Sequence, residues 1–323
     1  MIRQVLRDGR DAGGSGDSAR KPLEAVSRPP IPWLDPPAGP WTVSRAYEYC
    51  EEFARTHTES FPVASRFVPA RLRPYVWAVY AFARSADDFA DEARYAGRRA
   101  EALSFWEDQL ERCYHGEAEH PIFVALRETI DKCDIPIQPL QAMLTAFTMD
   151  LSVNRYQTFQ QLMTYCAHSA HPVGRLVLYI FNYRDPSLHN YSDDLCTALQ
   201  LANFWQDVGV DLAKDRIYLP EEDRKHFGVS DEALFARIVT PQFRDLMRFE
   251  VARARSLFER GRPIIDKVGS DLGFELAMIW NGGMTILDKI EAVGYDVWKR
   301  RPTLNAADKA RMVARAATQR WPQ

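Results

Sequence analysis

The sequence predicts an all-α protein, a single domain in which long helices surround a cavity. Three observations carry this. From about Trp41 onward, apolar residues return at every third and fourth position, with few alternating stretches. The breaks between these stretches fall at prolines and capping residues. A chain of 323 residues that is 46% hydrophobic is ample for a large core.

The periodicity places helices near 43–56, 71–94, 98–115, 119–133, 136–150, 158–183, 190–213, 241–262, 264–292 and 304–318. Pro136 and Pro139 stand at a helix start, where a missing N–H does no harm. Pro220 follows the helix over 190–213, and Pro241 opens the next one behind Thr240, a suitable cap. Residues 1–40 form a separate segment. Its GGSG run and repeated prolines predict a tail without a core, so folding should begin near Trp41 and occupy 41–323. The tail lacks the apolar stretch of a secretory signal, and Asp8, Asp11 and Asp17 argue against a transit peptide.

Composition narrows the function classes. A net charge of −3, without a dense basic block except Lys299–Arg301, argues against nucleic-acid binding. Five scattered cysteines lack a Cys-x-x-Cys pair and read as free thiols in a reducing, cytoplasmic compartment. No apolar run is long enough to span a membrane, which leaves peripheral association with the inner membrane open. The chain has no P-loop, dinucleotide fingerprint, G-x-S-x-G, H-E-x-x-H or EF-hand loop.

RSADDFADE (84–92) sets Arg84 beside Asp87, Asp88, Asp91 and Glu92, directly after the apolar run YVWAVYAFA. Taken alone, such a charge run reads as a solvated face. The preceding Tyr75, Trp77, Val79 and Phe82 argue instead for a helix buried over much of its circumference. Carboxylates on such a helix repel one another and need cations, either arginine or metal. A second segment, LQLANFWQDVGVD (199–211), repeats the design, with Gln200, Asn203, Asp207 and Asp211 at spacings of 3, 4 and 4 on an otherwise apolar helix. Two oxygen-bearing stripes facing each other would suit magnesium, which keeps waters and binds substrate phosphates. An apolar, aromatic lining would suit a long hydrocarbon carrying a diphosphate.

From about Trp41 to Arg320 the chain resembles the head-to-head prenyl synthases, the squalene/phytoene synthase family. The resemblance implies an isoprenoid-synthase-type helical bundle around a central cavity. It also implies Asp87, Asp91, Asn203, Asp207 and Asp211 as magnesium ligands, with Arg84 and Gln200 near the diphosphate or substrate. HTESF (57–61) is similar to the family's N-terminal diphosphate-contacting segment, which places His57, Ser60 and Phe61 at the site. Tyr80, Tyr165 and Tyr218 fall where the family has substrate-contacting tyrosines, and DRIYLP (215–220), with Arg216, matches as well. The implied catalytic group is Arg84 on the leaving diphosphate, with Tyr165 and Phe61 facing the cation. The partners implied are a prenyl or presqualene diphosphate, and pathway enzymes upstream and downstream.

Two departures from the family pattern refine this. Gln206 stands where many relatives have arginine, and AHPVG (170–174) replaces Ala-Gly-Thr-Val-Gly. With FPVAS (61–65) and NFWQD (203–207), these variants look like the bacterial hopanoid-pathway branch, the hydroxysqualene synthases, in which water captures the cation left by presqualene diphosphate. The rivals are condensation of two prenyl diphosphates to squalene, dehydrosqualene or phytoene, and a non-catalytic assembly protein of the same fold. Intact acidic stripes argue against the last.

Other features read differently. His168 and His171, beside Pro172 and without nearby acids in the sequence, predict packing at a kink rather than a metal pair. Gly273, Gly282 and Gly283 predict close helix packing. Trp298–Arg301 fits a diphosphate contact, an anionic membrane surface or a solvated turn.

Overall fold

The computed structural model describes residues 40–57, 68–299 and 301–318. The described residues are helical with short connections, and their only extended pairing is an isolated bridge between Arg155 and Ile217. In chain order the helices are α1 (Val43–Thr56), α2 (Arg73–Asp91), α3 (Arg99–Tyr114), α4 (Pro121–Cys133), α5 (Ile137–Met149), α6 (Phe159–Ser169) and α7 (His171–Ile180). They continue as α8 (Pro186–Gln206), α9 (Val208–Leu212), α10 (Glu221–His226), α11 (Asp231–Phe235), α12 (Pro241–Gly261), α13 (Ser270–Ala292) and α14 (Ala306–Ala317). The predicted all-α fold class holds.

Local chemistry explains most boundaries. Thr42, Thr158, Asp185, Ser230 and Thr240 each cap a helix by accepting a backbone N–H through the side chain. Asn305 and Asp308 form a reciprocal capping box at the start of α14.

Four predicted helices are interrupted, the first, 71–94, at Glu92, whose extended backbone ends α2 before a short 3-10 turn, Ala93–Tyr95. The stretch 158–183 divides at Ala170, because Pro172 has no N–H and its ring crowds the carbonyl four residues back. The stretch 190–213 begins earlier, at Pro186, and breaks at Asp207, whose backbone leaves the helical region at φ −104° and ψ 12°. The stretch 264–292 is a short 3-10 turn, Arg262–Asp266, followed by α13. Between Pro220 and Pro241, two short helices, α10 and α11, fill a segment the periodicity left without structure.

The core has two lobes. One gathers apolar side chains from α1 to α5 around Trp106, Phe82, Phe89 and Phe123. The other gathers α6, α8, α12 and α13 around Trp205, Phe243 and Phe258. Helix α7 joins them, giving Leu176 and Ile180 to the first lobe and Leu178 to the second. In each lobe a buried tryptophan donates to a backbone carbonyl of a neighbouring helix, Trp106 to Phe82 at 3.1 Å and Trp205 to Glu250 at 3.1 Å.

Helices α2 and α8 are the central ones. From Ala81 to Ala90, and from Leu195 to Gln206, every residue is buried, so each helix is enclosed on all sides over the stretch that carries its oxygen-bearing stripe. Close approach of neighbours needs small residues. A Cβ at Gly174 would lie 2.2 Å from Ser192 Oγ, and one at Gly283 would lie 2.1 Å from Phe258 Cζ. The five cysteines are buried and unbridged. Among the described residues no helix is long and apolar enough to cross a membrane.

Candidate active site

The last two turns of α2 hold the first stripe. Arg84 and Asp88, one turn apart, pair at 2.9 Å, and Arg84 also lies 3.6 Å from Asp87. All three are buried. Asp88 gathers two further basic side chains, the imidazole of His57 at 3.6 Å and the guanidinium of Arg94 at 3.5 Å. His57 is oriented by a 2.7 Å contact between Nδ1 and the Phe53 carbonyl. Tyr80 is half-buried one turn before Arg84. Ser60 and Phe61, also expected here, and the FPVAS segment lie outside the described residues.

The second stripe runs along α8 into α9. Gln200, Asn203, Asp207 and Asp211 are all buried. The break at Asp207 preserves their register, because the Asp207 N–H still donates to the Asn203 carbonyl at 2.8 Å and the Asp211 N–H to the Asp207 carbonyl at 2.8 Å. Asp207 is gripped by the Arg301 guanidinium through both carboxylate oxygens, at 2.5 and 3.1 Å. The neighbouring Gln206 donates its amide to the Pro302 carbonyl at 2.5 Å. Trp298 packs on Phe243 with ring centroids 5.0 Å apart. Trp298, Arg301 and Pro302 are therefore docked over the second stripe rather than turned out to solvent. Arg301 returns to Asp207 a positive charge that Gln206 does not supply.

One contact joins the stripes across the molecule. Arg216, whose N–H donates to the Asp211 carbonyl at 2.9 Å, reaches Asp91 at 3.1 Å. The two stripes thus share one space, with arginines Arg84, Arg216 and Arg301 distributed along it. Among the described residues no three acidic, histidine or cysteine side chains converge as a ready-made metal cage. The donor set is nonetheless all hard oxygen: four carboxylates and the Asn203 amide. Magnesium is held by one or two carboxylates plus waters and substrate phosphates, so this set fits it better than it fits a metal needing a closed protein shell.

An aromatic group borders the second stripe. Phe204 and Tyr218 stack at 3.7 Å, nearly parallel at 7°. Tyr156 and Tyr165 complete the group, with centroids 5.7 and 6.1 Å from Tyr218. Tyr165 donates its hydroxyl to Asp150 at 2.9 Å. It lines a recess with Met143, Ala146, Phe147, Ser169 and Gln200. A second recess, beside Asp211 and Arg216, is walled by Phe204, Tyr218 and aliphatic side chains. Oxygen ligands and arginines at one end, and aromatic and aliphatic walls beside them, can bind a diphosphate and its hydrocarbon together.

The residues not foreseen are Arg94, Tyr156 and Phe204. Tyr156 lies in the loop between α5 and α6, and its aromatic neighbours are assembled only by the fold. Phe204 lies within a motif whose polar residues drew attention first. The histidine pair separates: His168 Nδ1 meets the Thr164 carbonyl at 2.8 Å, while His171 Nε2 meets Thr197 Oγ1 at 2.8 Å. An acid missing from the local sequence does stand beside His171, since Asp193 approaches it at 3.5 Å. Burial nevertheless holds the His171 pKa below its usual value.

The family model described as squalene/phytoene synthase matches residues 54–308. The chain belongs to the squalene/phytoene synthase family. A phytoene synthase from Arthrospira platensis is 32% identical over 278 residues, covering 81% of this chain and 89% of that protein. The crystal structure of squalene synthase HpnC from Alicyclobacillus acidocaldarius superposes with a TM-score of 0.76 at 42% identity, over 78% of this chain and 95% of that one. A dehydrosqualene synthase solved with a ligand also gives a TM-score of 0.76, at 26% identity, over 85% of this chain and 96% of the other. As a squalene/phytoene synthase family member, the chain is a prenyl diphosphate-utilising synthase.

Proposed function

We propose that this family member is a magnesium-dependent hydroxysqualene synthase, converting presqualene diphosphate and water to hydroxysqualene and diphosphate. The observation that carries the reading is the Arg216–Asp91 contact, which puts two buried oxygen stripes into one space beside the Tyr156–Tyr165–Phe204–Tyr218 group. In this reading Asp87, Asp91, Asn203, Asp207 and Asp211 hold magnesium. When bound, the metal supplies Lewis-acid neutralisation of charge on the leaving oxygens. Arg84, with Arg216 and Arg301, positions the diphosphate and offsets its charge, and His57 contacts it. Tyr80, Gln200, Ser60 and Phe61 contact the substrate. The ring faces of Tyr165 and Tyr218 stabilise the positive charge left on the hydrocarbon, and the buried walls exclude stray water.

Choice of the water quench rests on Gln206 and AHPVG, and is supported by the 42% identity to HpnC. Condensation of two prenyl diphosphates is the second reading, favoured by the phytoene synthase at 32% identity and the dehydrosqualene synthase structure. Because substrate and product are long hydrocarbons, the proposal includes a cytoplasmic protein in peripheral contact with the inner membrane.

Purified protein, magnesium and presqualene diphosphate in ¹⁸O-labelled water, without NADPH, test the reading. Hydroxysqualene carrying the label is expected. Efficient condensation of farnesyl diphosphate by the protein alone, or an unlabelled product, would replace this reading with the second.

A further inference from the structure

Ser169 occupies the last residue of α6, one turn after Tyr165, so both side chains lie on the same helix face. A serine near a helix end ordinarily satisfies its hydroxyl by donating to the carbonyl one turn back. Ser169 does not: among the described residues its Oγ is buried and has no hydrogen-bond partner. Leaving a buried hydroxyl in this state is costly, a cost that a partner in the recess would remove. The recess it lines is apolar on one side, with Met143, Ala146 and Phe147, and polar on the other, with Tyr165, Asp150 and Gln200. A buried water needs two to four such polar groups.

The surroundings fix this corner. The break at Ala170 ends α6 directly after Ser169. His171, the first residue beyond it, is bound to Thr197 on α8, three residues before Gln200. Arg175 grips Asp193, the acid beside His171, from the same helix α7. The AHPVG departure therefore does more than kink a helix: it locks Ser169 and Gln200 into one register, one turn from Asn203 of the second stripe.

We infer that Ser169 is the water-positioning residue of the quench, an inference that rests on the hydroxysqualene reading above. The C–O bond of presqualene diphosphate breaks with its electron pair leaving on diphosphate. Water hydrogen-bonded to Ser169 Oγ gives a lone pair to the rearranged cation and forms the new C–O bond. The oxonium proton passes to the Tyr165 hydroxyl as the Tyr165 proton moves to the Asp150 carboxylate, along the 2.9 Å hydrogen bond already present. Cation, water and carboxylate become alcohol and carboxylic acid, with no oxidant or reductant required.

The test compares Ser169→Ala, Ser169→Val and Ser169→Thr with the unaltered protein, using presqualene diphosphate and magnesium without NADPH. The readout is each product's share of the total, by gas chromatography and mass spectrometry. Ala and Val should lower the hydroxysqualene share several-fold, with isomeric alcohols and deprotonated polyenes taking its place, while Thr keeps the original share. Shares unchanged in Ala and Val overturn the inference whatever the total turnover, because general damage lowers all products together. A Thr variant that shifts as far as Val overturns it too. Absence of hydroxysqualene from the unaltered protein would instead defeat the functional reading itself, before any variant is compared.

Discussion

Asp207 shows how closely single side chains are specified here. It sits where α8 breaks, keeps the helical backbone bond to Asn203, and turns its carboxylate into the fork of Arg301. Asp207→Asn, or Asp87→Asn on the facing stripe, removes a charge while keeping the shape. Turnover of presqualene diphosphate should fall by roughly 10²–10³-fold with the helical circular dichroism unchanged. Undiminished turnover in both variants would remove the two-stripe site. Arg301 makes a second, independent demand. Arg301→Ala should lower turnover by about tenfold to a hundredfold, the equivalent of one or two charge-assisted hydrogen bonds. Arg301→Lys should recover only part of the loss, since an ammonium cannot reproduce the two-pronged contact. Full activity in the alanine variant would assign Arg301 to packing alone.

At the scale of elements, the second lobe depends on how closely α12 approaches α8. A Cβ at Gly261 would lie 2.7 Å from the Leu195 nitrogen and 2.9 Å from the Tyr191 carbonyl oxygen. Backbone atoms cannot rotate away as a side chain can, so the helices must part. Gly261→Ala is expected to destabilise by about 1–3 kcal/mol, read as a lowered denaturant midpoint at unchanged slope.

Helix α12 is also tied to α10 through a buried charge group. Arg253 lies on the Phe159 ring and pairs with Asp223 at 2.8 Å and Glu250 at 3.3 Å. Burial, with Asp223 adding to it against the opposing pull of Arg253, pushes the Glu250 pKa up to about 8. An unfolded Glu250 titrates at about 4.5, so between there and pH 8 the folded chain keeps a proton that the unfolded chain has released. This contribution to stability is complete below the lower value, declines as pH rises, and is lost above about 8. Thermal melts from pH 5 to 9 should show that decline, and Glu250→Gln should flatten it. A variant with the original pH dependence would show that Glu250 is not its source.

For the whole molecule, the question is how much chain the site requires. The family match begins at residue 54, and α1 at Val43 already packs into the first lobe through Ala46, Cys50 and Phe53. The composition of residues 1–39 offers no core to contribute. A chain beginning at Pro40 should fold with the same melting temperature and keep its turnover. Loss of either would give the tail a structural role. The two lobes themselves cannot be separated in this way, because the site is shared between α2 of one and α8 of the other, with the Asp91–Arg216 pair between them.

What the sequence determined by itself was local. Helical periodicity relates residues three and four apart, so Arg84 with Asp88, and Asn203 with Asp207, were legible as single faces before any fold was known. Capping threonines and helix-starting prolines marked boundaries for the same reason, since the interactions that stop a helix lie within a few residues of its end. Even the break at Pro172 was readable as a kink, although not its division of one helix into two. Only tertiary structure decided which cation meets which acid. Arg301 reaches Asp207 across 94 residues and Arg216 reaches Asp91 across 125. Asp193, absent from the local sequence around His171, arrives on the next helix. The same is true of the aromatic group, drawn from a loop, two helices and the segment after α9. A helix's own repeat fixes the order of side chains on each face, but the face a neighbour presents depends on how both bury their apolar surfaces. That burial is a property of the packed lobes, and no stretch of chain carries it alone.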